Sequence, residues 1–306
     1  MKYLNALEKR LSCSNADEVF RYFMRTLKDT ITTWDYFVKW AKVFDNVREI
    51  EIDLNTLNYL VGKDDIEREF ERLLERQPSL ARLVPILVAC RECKVAILTA
   101  FDKDAFKYET YDFGKYATMD KRRVITFAKR AGFLDLLRNK KIKSIVDYVL
   151  GVEVGLDSNG RKNRGGEAME TIVEFFIKDL CSRYGLQYVK QASARSVAQE
   201  WGLTLKVDKS SRKVDFAINK AGRLFLIETN FYSGGGSKLK STAGEYRAMF
   251  DFWKADGREF VWITDGAGWL KARHPLRETF DHIDYVLNLE MVAKGLLEDI
   301  ICGSDL

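Results

Sequence analysis

Cysteine, histidine and surplus charge are scarce in this sequence, and each shortage narrows what the chain can be. Five cysteines in 306 residues, an odd and sparse set, rule out a disulfide-stapled framework and agree with a reducing compartment. Cys90 and Cys93 form a C-x-x-C, but His274 and His282 are the only histidines and no second cysteine pair follows, which counts against zinc. Flanked by "ILVA" and "KVAILTA", these two thiols are expected to be buried in an apolar helix or strand. No apolar run reaches the roughly 18 residues of a membrane helix. The N-terminal "MKYLNALEKRLSCSNADEVF" carries acidic residues where a signal peptide would be continuously apolar, so a cytoplasmic protein is expected. Internal repeats and low-complexity linkers are missing too. The net charge of +5 is too small to mark a nucleic-acid binder by itself.

What is present is an ordinary globular composition, 46% hydrophobic and 31% charged, in a chain long enough to bury one large core or two smaller ones. The basic residues gather mid-chain, in "KRRVITFAKRAGFLDLLRNKKIK" (121–143) and "RKNR" (161–164). Residues 1–143 predict a mainly helical N-terminal region, with Asn15 or Asp17 capping one helix and Asp64 another. Phe20, Phe23, Trp34, Phe37 and Trp40 recur at helical spacing, so the expectation is that they pack a core. A helix is also expected after Pro78, and a strand pair or connector over 106–120.

From residue 144 the texture changes, and 144–306 reads as a second region. "GLDSNGRKNRGG" predicts a glycine-rich basic loop, and "EAMETIVEFFIKDLCSRYG" a helix ended at Gly185. Four strands follow, "LQYVKQAS", "KVDFAINKAG", "RLFLIETNFY" and "REFVWITDG", two of them joined as a hairpin through "NKAG". The second half of "SKLKSTAGEYRAMFDFWKADG" has helical spacing. The sum is an α/β fold, a mixed sheet flanked by helices.

On that hairpin Asp215, near the start of one strand, and Glu228, near the end of the next, are brought together because the chain doubles back between them. Two carboxylates at close range raise each other's pKa unless a cation lies between them, and oxygen ligands of this kind suit Mg²⁺. A charge that ends the apolar run "LFLI" is not expected on a buried strand without a use. The alternative is a strand cap and a surface ion pair. Glu167, Glu170 and Glu174 share one helix face, as a surface stripe or as a third ligand; Glu170 is the candidate preferred here. After Glu228 comes Gly234–Gly236, where bare backbone can approach a phosphate or base edge, Gly235 included. Ser237, Lys238 and Lys240 can add hydrogen bonds and charge there. A flexible hairpin tip is the competing reading. A P-loop fails on spacing, since Leu239 stands where the hydroxyl should be.

The order "V-D-F-A-I … L-I-E-T-N" resembles the PD-(D/E)xK nuclease core, in which an Asp and a Glu on adjacent strands bind Mg²⁺ and a lysine lies two residues beyond the Glu. Here that position is Asn230, an amide that can orient water or phosphate but neither carries charge nor titrates. Lys238, Lys240 or a second metal is then expected to take the lysine's role. More narrowly, "GVEVGLDSNGRKNRGG … ME" with "VDFAIN … LIETNFYSGGGSKLKSTAGEYR" is similar to the DpnII/MboI family of type II restriction endonucleases. That resemblance implies Mg²⁺-dependent cleavage of double-stranded DNA at GATC, 5′ of the G on each strand, blocked by adenine methylation. A four-base palindrome makes a homodimer the simplest way to cut both strands. Asp215, Glu228 and Glu170 would then hold the metal. Arg161, Lys162 and Arg164 would meet phosphates or guanine edges, and Asn159 and Asn163 could read adenine. The alternatives on the same residues are a structure-specific or repair nuclease, and a DNA-binding module that has lost catalysis.

Overall fold

The segment Leu224–Thr229 buries six consecutive side chains, which a strand does only when both its faces are covered. The strand that contains it is the centre of the larger of two compact units. The computed structural model describes residues 4–303 other than 102, 104 and 210. The two units are Met1–Thr33 with Lys162–Leu306, and Trp34–Arg161.

Seven strands are described: β1 (Lys94–Phe101), β2 (Phe106–Asp112), β3 (Gln187–Ser193), β4 (Lys213–Lys220), β5 (Arg223–Phe231), β6 (Glu259–Asp265) and β7 (Tyr285–Leu287). In the larger unit they form one sheet in the order β3-β4-β5-β6-β7, antiparallel through β5 and parallel from β5 to β7. The β4–β5 connection is short because Ala221 and Gly222 both take positive φ, +50° and +88°, the twist that suits a two-residue hairpin. The helix Arg161–Tyr184 lays Met169, Val173, Ile177 and Leu180 into the same core as the sheet, and the helix Ser237–Ala255 adds Leu239, Ala243, Phe250 and Trp253. Burying each large apolar side chain stabilises by about 1.5–3 kcal/mol before chain entropy is counted. Together these elements make a PD-(D/E)xK-like mixed sheet flanked by helices.

The smaller unit is helical apart from the β1–β2 ribbon and has its own core, including Leu54, Phe70, Val124, Leu137 and Val149. No helix among the described residues is long and apolar enough to cross a membrane.

The division does not fall at 143/144. The helices Leu4–Leu11 and Ala16–Arg25 place Leu7, Phe20 and Phe23 in the core of the sheet, while Ile145–Ser158 places Ile145 and Val149 in the other core. Helical periodicity reveals an apolar face but not which core receives it. The aromatic stripe divides likewise: Phe20 and Phe23 are buried, but Trp34 is 91% exposed, and Phe37 and Trp40 about half. "RKNRGG" is not a loop, because the helix starts at Arg161, and "SKLKSTAG" is helical from Ser237. The segment after Pro78 folds as a 3₁₀ turn and the four-residue helix Val84–Leu87. Beyond it Cys93 is exposed and Cys90 half-buried. Asn15 caps its helix by accepting from the Glu18 N–H; Asp64 caps none, since Asp65 precedes Ile66–Arg76 and makes no side-chain cap.

Candidate active site

The β4–β5 register pairs Phe216 with Ile227, and continuing it by one residue sets Asp215 across from Glu228. On the other side of β4, Lys190 pairs with Phe216 and Ala192 with Val214, which sets Gln191 across from Asp215. β6 completes the row, with Trp262 beside Glu228. Cross-strand neighbours project from one face of a sheet, so Gln191, Asp215, Glu228 and Trp262 form a transverse line.

Asp215 is fixed from two directions. Its Oδ2 accepts from the Thr229 N–H at 2.7 Å and the Thr229 hydroxyl at 2.8 Å, and its Oδ1 accepts from the Gln191 amide at 3.4 Å. The same Gln191 amide donates to Glu170 Oε2 at 3.1 Å, so one side chain ties a helix carboxylate to a strand carboxylate. Gln191 does this from a left-handed backbone, φ +50°, a conformation costly for a residue with a side chain and common where function holds a chain in place. Glu170 is thus the acidic residue of its helix that meets Asp215. Glu174, one turn on, is engaged by Lys190 at 2.9 Å and the Tyr188 hydroxyl at 2.9 Å. Lys190 also approaches Glu170 at 3.9 Å, so positive charge reaches the cluster from β3.

The electrostatics follow from burial. Glu228 is 8% exposed, and burial pushes its carboxyl well above the usual carboxylate range, with the charge of Asp215 adding to the rise and Arg212 opposing it. Burial likewise raises Asp215, against the hydrogen bonds from Thr229 and Gln191. Glu170 is raised by burial and then by Asp215. Three carboxyls that all resist ionisation and repel one another form a site with less positive charge than its acids call for, Lys190 and Arg212 notwithstanding. Asp265, at the end of the neighbouring strand, is also raised by burial, but its carboxylate is used differently: it accepts from the N–H groups of Lys28, Gly266 and Leu289, which tie loops together.

Asn230, in the position where the resembling nucleases carry lysine, points its Oδ1 at Thr264, which donates at 2.5 Å and in turn accepts from the Trp269 indole at 2.8 Å. Its buried Nδ2 has no hydrogen-bond partner of good geometry, although it lies close enough to Tyr246 to influence that phenol. Tyr246 packs 5.0 Å from the Trp262 ring, and burial, then the charge of Glu228, drives its hydroxyl well above its ordinary value. A neutral amide and a neutral phenol therefore line the inner end of the site.

The other expected residues spread more widely. Asn159 is exposed at the end of the helix Ile145–Ser158. Arg164 is buried, 7% exposed, in the first turns of the long helix. The side chains of Arg161, Lys162, Asn163, Ser237 and Lys238 lie outside the described residues. Lys240 and Gly235 are exposed, the latter packed against the Lys271 side chain. The closest backbone approach belongs to glycines that sequence reasoning passed over. A Cβ on Gly266 would fall 2.3 Å from the Tyr232 carbonyl oxygen, and one on Gly268 2.5 Å from that of Gly234. The loop after β6 thereby clamps the triple-glycine segment, with the Gly268 N–H donating to Tyr232 at 2.7 Å. Gln191, Thr229 and Lys190 were also missed. Their only sequence signal is the three-strand register, which needs the pairing of β3 with β4 to be known.

No group of three or more His, Cys, Asp or Glu among the described residues forms a ready-made metal cage. The donors nevertheless fit a hard divalent ion such as Mg²⁺, which keeps most of its water and needs only one or two carboxylates from the protein. The set here is all oxygen, and Asp215 and Glu170 are held within reach of one amide group.

Fold and site together define a nuclease-like α/β protein with an acidic cluster at the rim of its sheet. Comparison with known proteins narrows this. The family model described as DpnII restriction endonuclease matches residues 19–299. The chain is 47% identical to the type II restriction enzyme MjaIII of Methanocaldococcus jannaschii, over 92% of this chain and 99% of that protein. It is 43% identical to LlaDCHI of Lactococcus lactis subsp. cremoris (93% and 95% covered) and 36% identical to DpnII of Streptococcus pneumoniae (92% and 98%). No solved structure matches it. The chain belongs to the DpnII family of type II restriction endonucleases.

Proposed function

We propose that this protein is a Mg²⁺-dependent endonuclease that cuts double-stranded DNA at GATC, 5′ of the G on each strand, acts as a homodimer and is blocked by adenine methylation. The observation that carries the reading is the acidic row itself: half-buried Asp215 and buried Glu228 across the β4–β5 hairpin, with Glu170 joined to Asp215 through Gln191, in a chain of this family. The GATC site and the cutting position are what the resemblance to the DpnII/MboI family implies.

Hydrolysis here is attack of water on phosphorus with departure of the 3′ oxygen, leaving a 5′ phosphate. Asp215, Glu228 and Glu170 would hold the ion, and Thr229 and Gln191 would keep Asp215 turned toward it. The ion, when bound, supplies Lewis-acid stabilisation of the charge that builds on the phosphate oxygens. Lys190 adds a fixed positive charge beside the acidic row, while Asn230 can hydrogen-bond but not titrate. Lys238 and Lys240, at the start of the helix Ser237–Ala255, would serve the DNA backbone, as would Arg161 and Lys162; Arg164, expected there too, is buried instead.

The test is incubation of the purified protein with adenine-methylated and unmethylated plasmid, with Mg²⁺ and with EDTA. A fixed GATC fragment pattern from unmethylated DNA in Mg²⁺ alone is expected. Cutting at another sequence overturns the site assignment, cutting of branched or damaged DNA only favours a repair nuclease, and binding without cutting favours a DNA-binding module.

A further inference from the structure

The β1–β2 ribbon carries an apolar face that is left exposed among the described residues. Its register pairs Ala96 with Thr110, Leu98 with Tyr108 and Phe101 with Phe106. A shift between Leu98 and Ala100 changes the phase of β1, so that Phe101 joins the side on which Leu98, Tyr108 and Phe106 lie. Beyond its base, where Lys94 pairs with Asp112, that side carries only Ala96, Leu98, Phe101, Phe106, Tyr108 and Thr110, none of them charged. Phe101 is 73% exposed, Phe106 65%, Tyr108 64% and Leu98 42%, and the two Phe rings stack 6.4 Å apart at the tip. The opposite side is tied to the body of its unit: Tyr111 is buried in the core, with Val95 packed against that core, and Arg123 donates to the Thr110 carbonyl and lies over the Tyr111 ring. A lone two-stranded ribbon is marginal in water, and one that shows three aromatics to solvent calls for a cover.

We infer that the apolar outer part of this face is the surface through which two copies of the chain associate. A polyanion is a poor occupant, because residues 94–112 contain three lysines against four acidic residues, whereas DNA contacts need a surplus of positive charge. Three aromatics about two-thirds exposed, with Leu98, offer on the order of 400–500 Å² per copy, over half of the roughly 800 Å² each partner gives to a stable interface. The two open ribbon edges can supply more by strand pairing. A row of apolar side chains is self-complementary about a two-fold axis, the arrangement a homodimer requires. This assignment deepens, and rests on, the homodimer part of the proposed function.

The test is sedimentation velocity of the full-length protein at micromolar concentration, wild type against Phe101→Ser/Phe106→Ser and, separately, Tyr108→Lys, with circular dichroism to establish folding. The wild type should sediment as a dimer. Either folded variant should weaken association at least about 100-fold, as loss of central aromatic anchors does, and on a one-site plasmid the variants should accumulate nicked circles where the wild type gives linear product. A wild-type monomer, or a double variant that remains dimeric, overturns the inference. So does a dimeric variant that has lost duplex binding, since the face would then belong to DNA. A wild-type dimer that dissociates on substitution but cuts no DNA leaves the interface standing and removes the nuclease reading instead.

Discussion

In the five-stranded sheet, β5 is enclosed on both sides and still carries Glu228 among Ile227, Thr229 and Trp262; in the β1–β2 ribbon, Leu98, Phe101, Phe106 and Tyr108 stand in solvent with no charge among them. Each region places residues where transfer free energies disfavour them. A buried carboxylate asks for a cation and an exposed aromatic face asks for a cover. What the difference teaches is that the same kind of departure points inward to chemistry in one sheet and outward to a partner in the other.

The sharpest break of this comparison is Glu228→Gln. Cleavage should fall at least about 10³-fold, on the order of 4 kcal/mol of transition-state stabilisation, while the metal-free protein melts higher, not lower. Gel-based cleavage rates and calorimetry in EDTA read both, and retention of activity within tenfold would remove Glu228 from the site. Phe225→Ala, in the enclosed sheet, should cost about 3–5 kcal/mol, whereas Phe106→Ala should change monomer stability by under about 0.5 kcal/mol; equal losses in urea denaturation would erase the distinction between the two sheets.

Added Mg²⁺ should stabilise by about 1–3 kcal/mol when it is tens to a hundred times its dissociation constant, seen as a raised melting temperature that Asp215→Asn loses. An unchanged shift in that variant would place the ion elsewhere. Stability should also depend on pH. Glu170, Asp215 and Glu228 have folded-state pKa values above the ordinary carboxylate range. Between the ordinary values and the raised ones the folded chain therefore holds protons that the unfolded chain has released, and metal-free stability falls as pH rises through that window, then levels. The stability difference between wild type and Glu228→Gln should grow over the same window; a flat difference would mean that Glu228 ionises normally.

Much of the site was legible because it sits on a local hairpin. Asp215 and Glu228 are brought together by the short turn at Ala221 and Gly222, so their approach needed no long-range contact. Gln191 and Lys190 were not legible, since they arrive by the pairing of a strand more than 20 residues away whose register no local pattern sets. Glu170 was one of three equivalent glutamates until packing turned it toward Gln191 and gave Glu174 to Lys190.

The sequence by itself determined that strands alternate with helices after residue 144, that an acidic pair ends two of those strands, and that glycines follow them, because turn chemistry and apolar periodicity act over a few residues. Tertiary structure alone decided which core the first two helices join, that Trp34 lies outside any core while Phe20 lies within one, and that a third carboxylate meets the pair. These outcomes depend on burial and cross-strand register, which are settled only when distant segments compete for the same apolar surface.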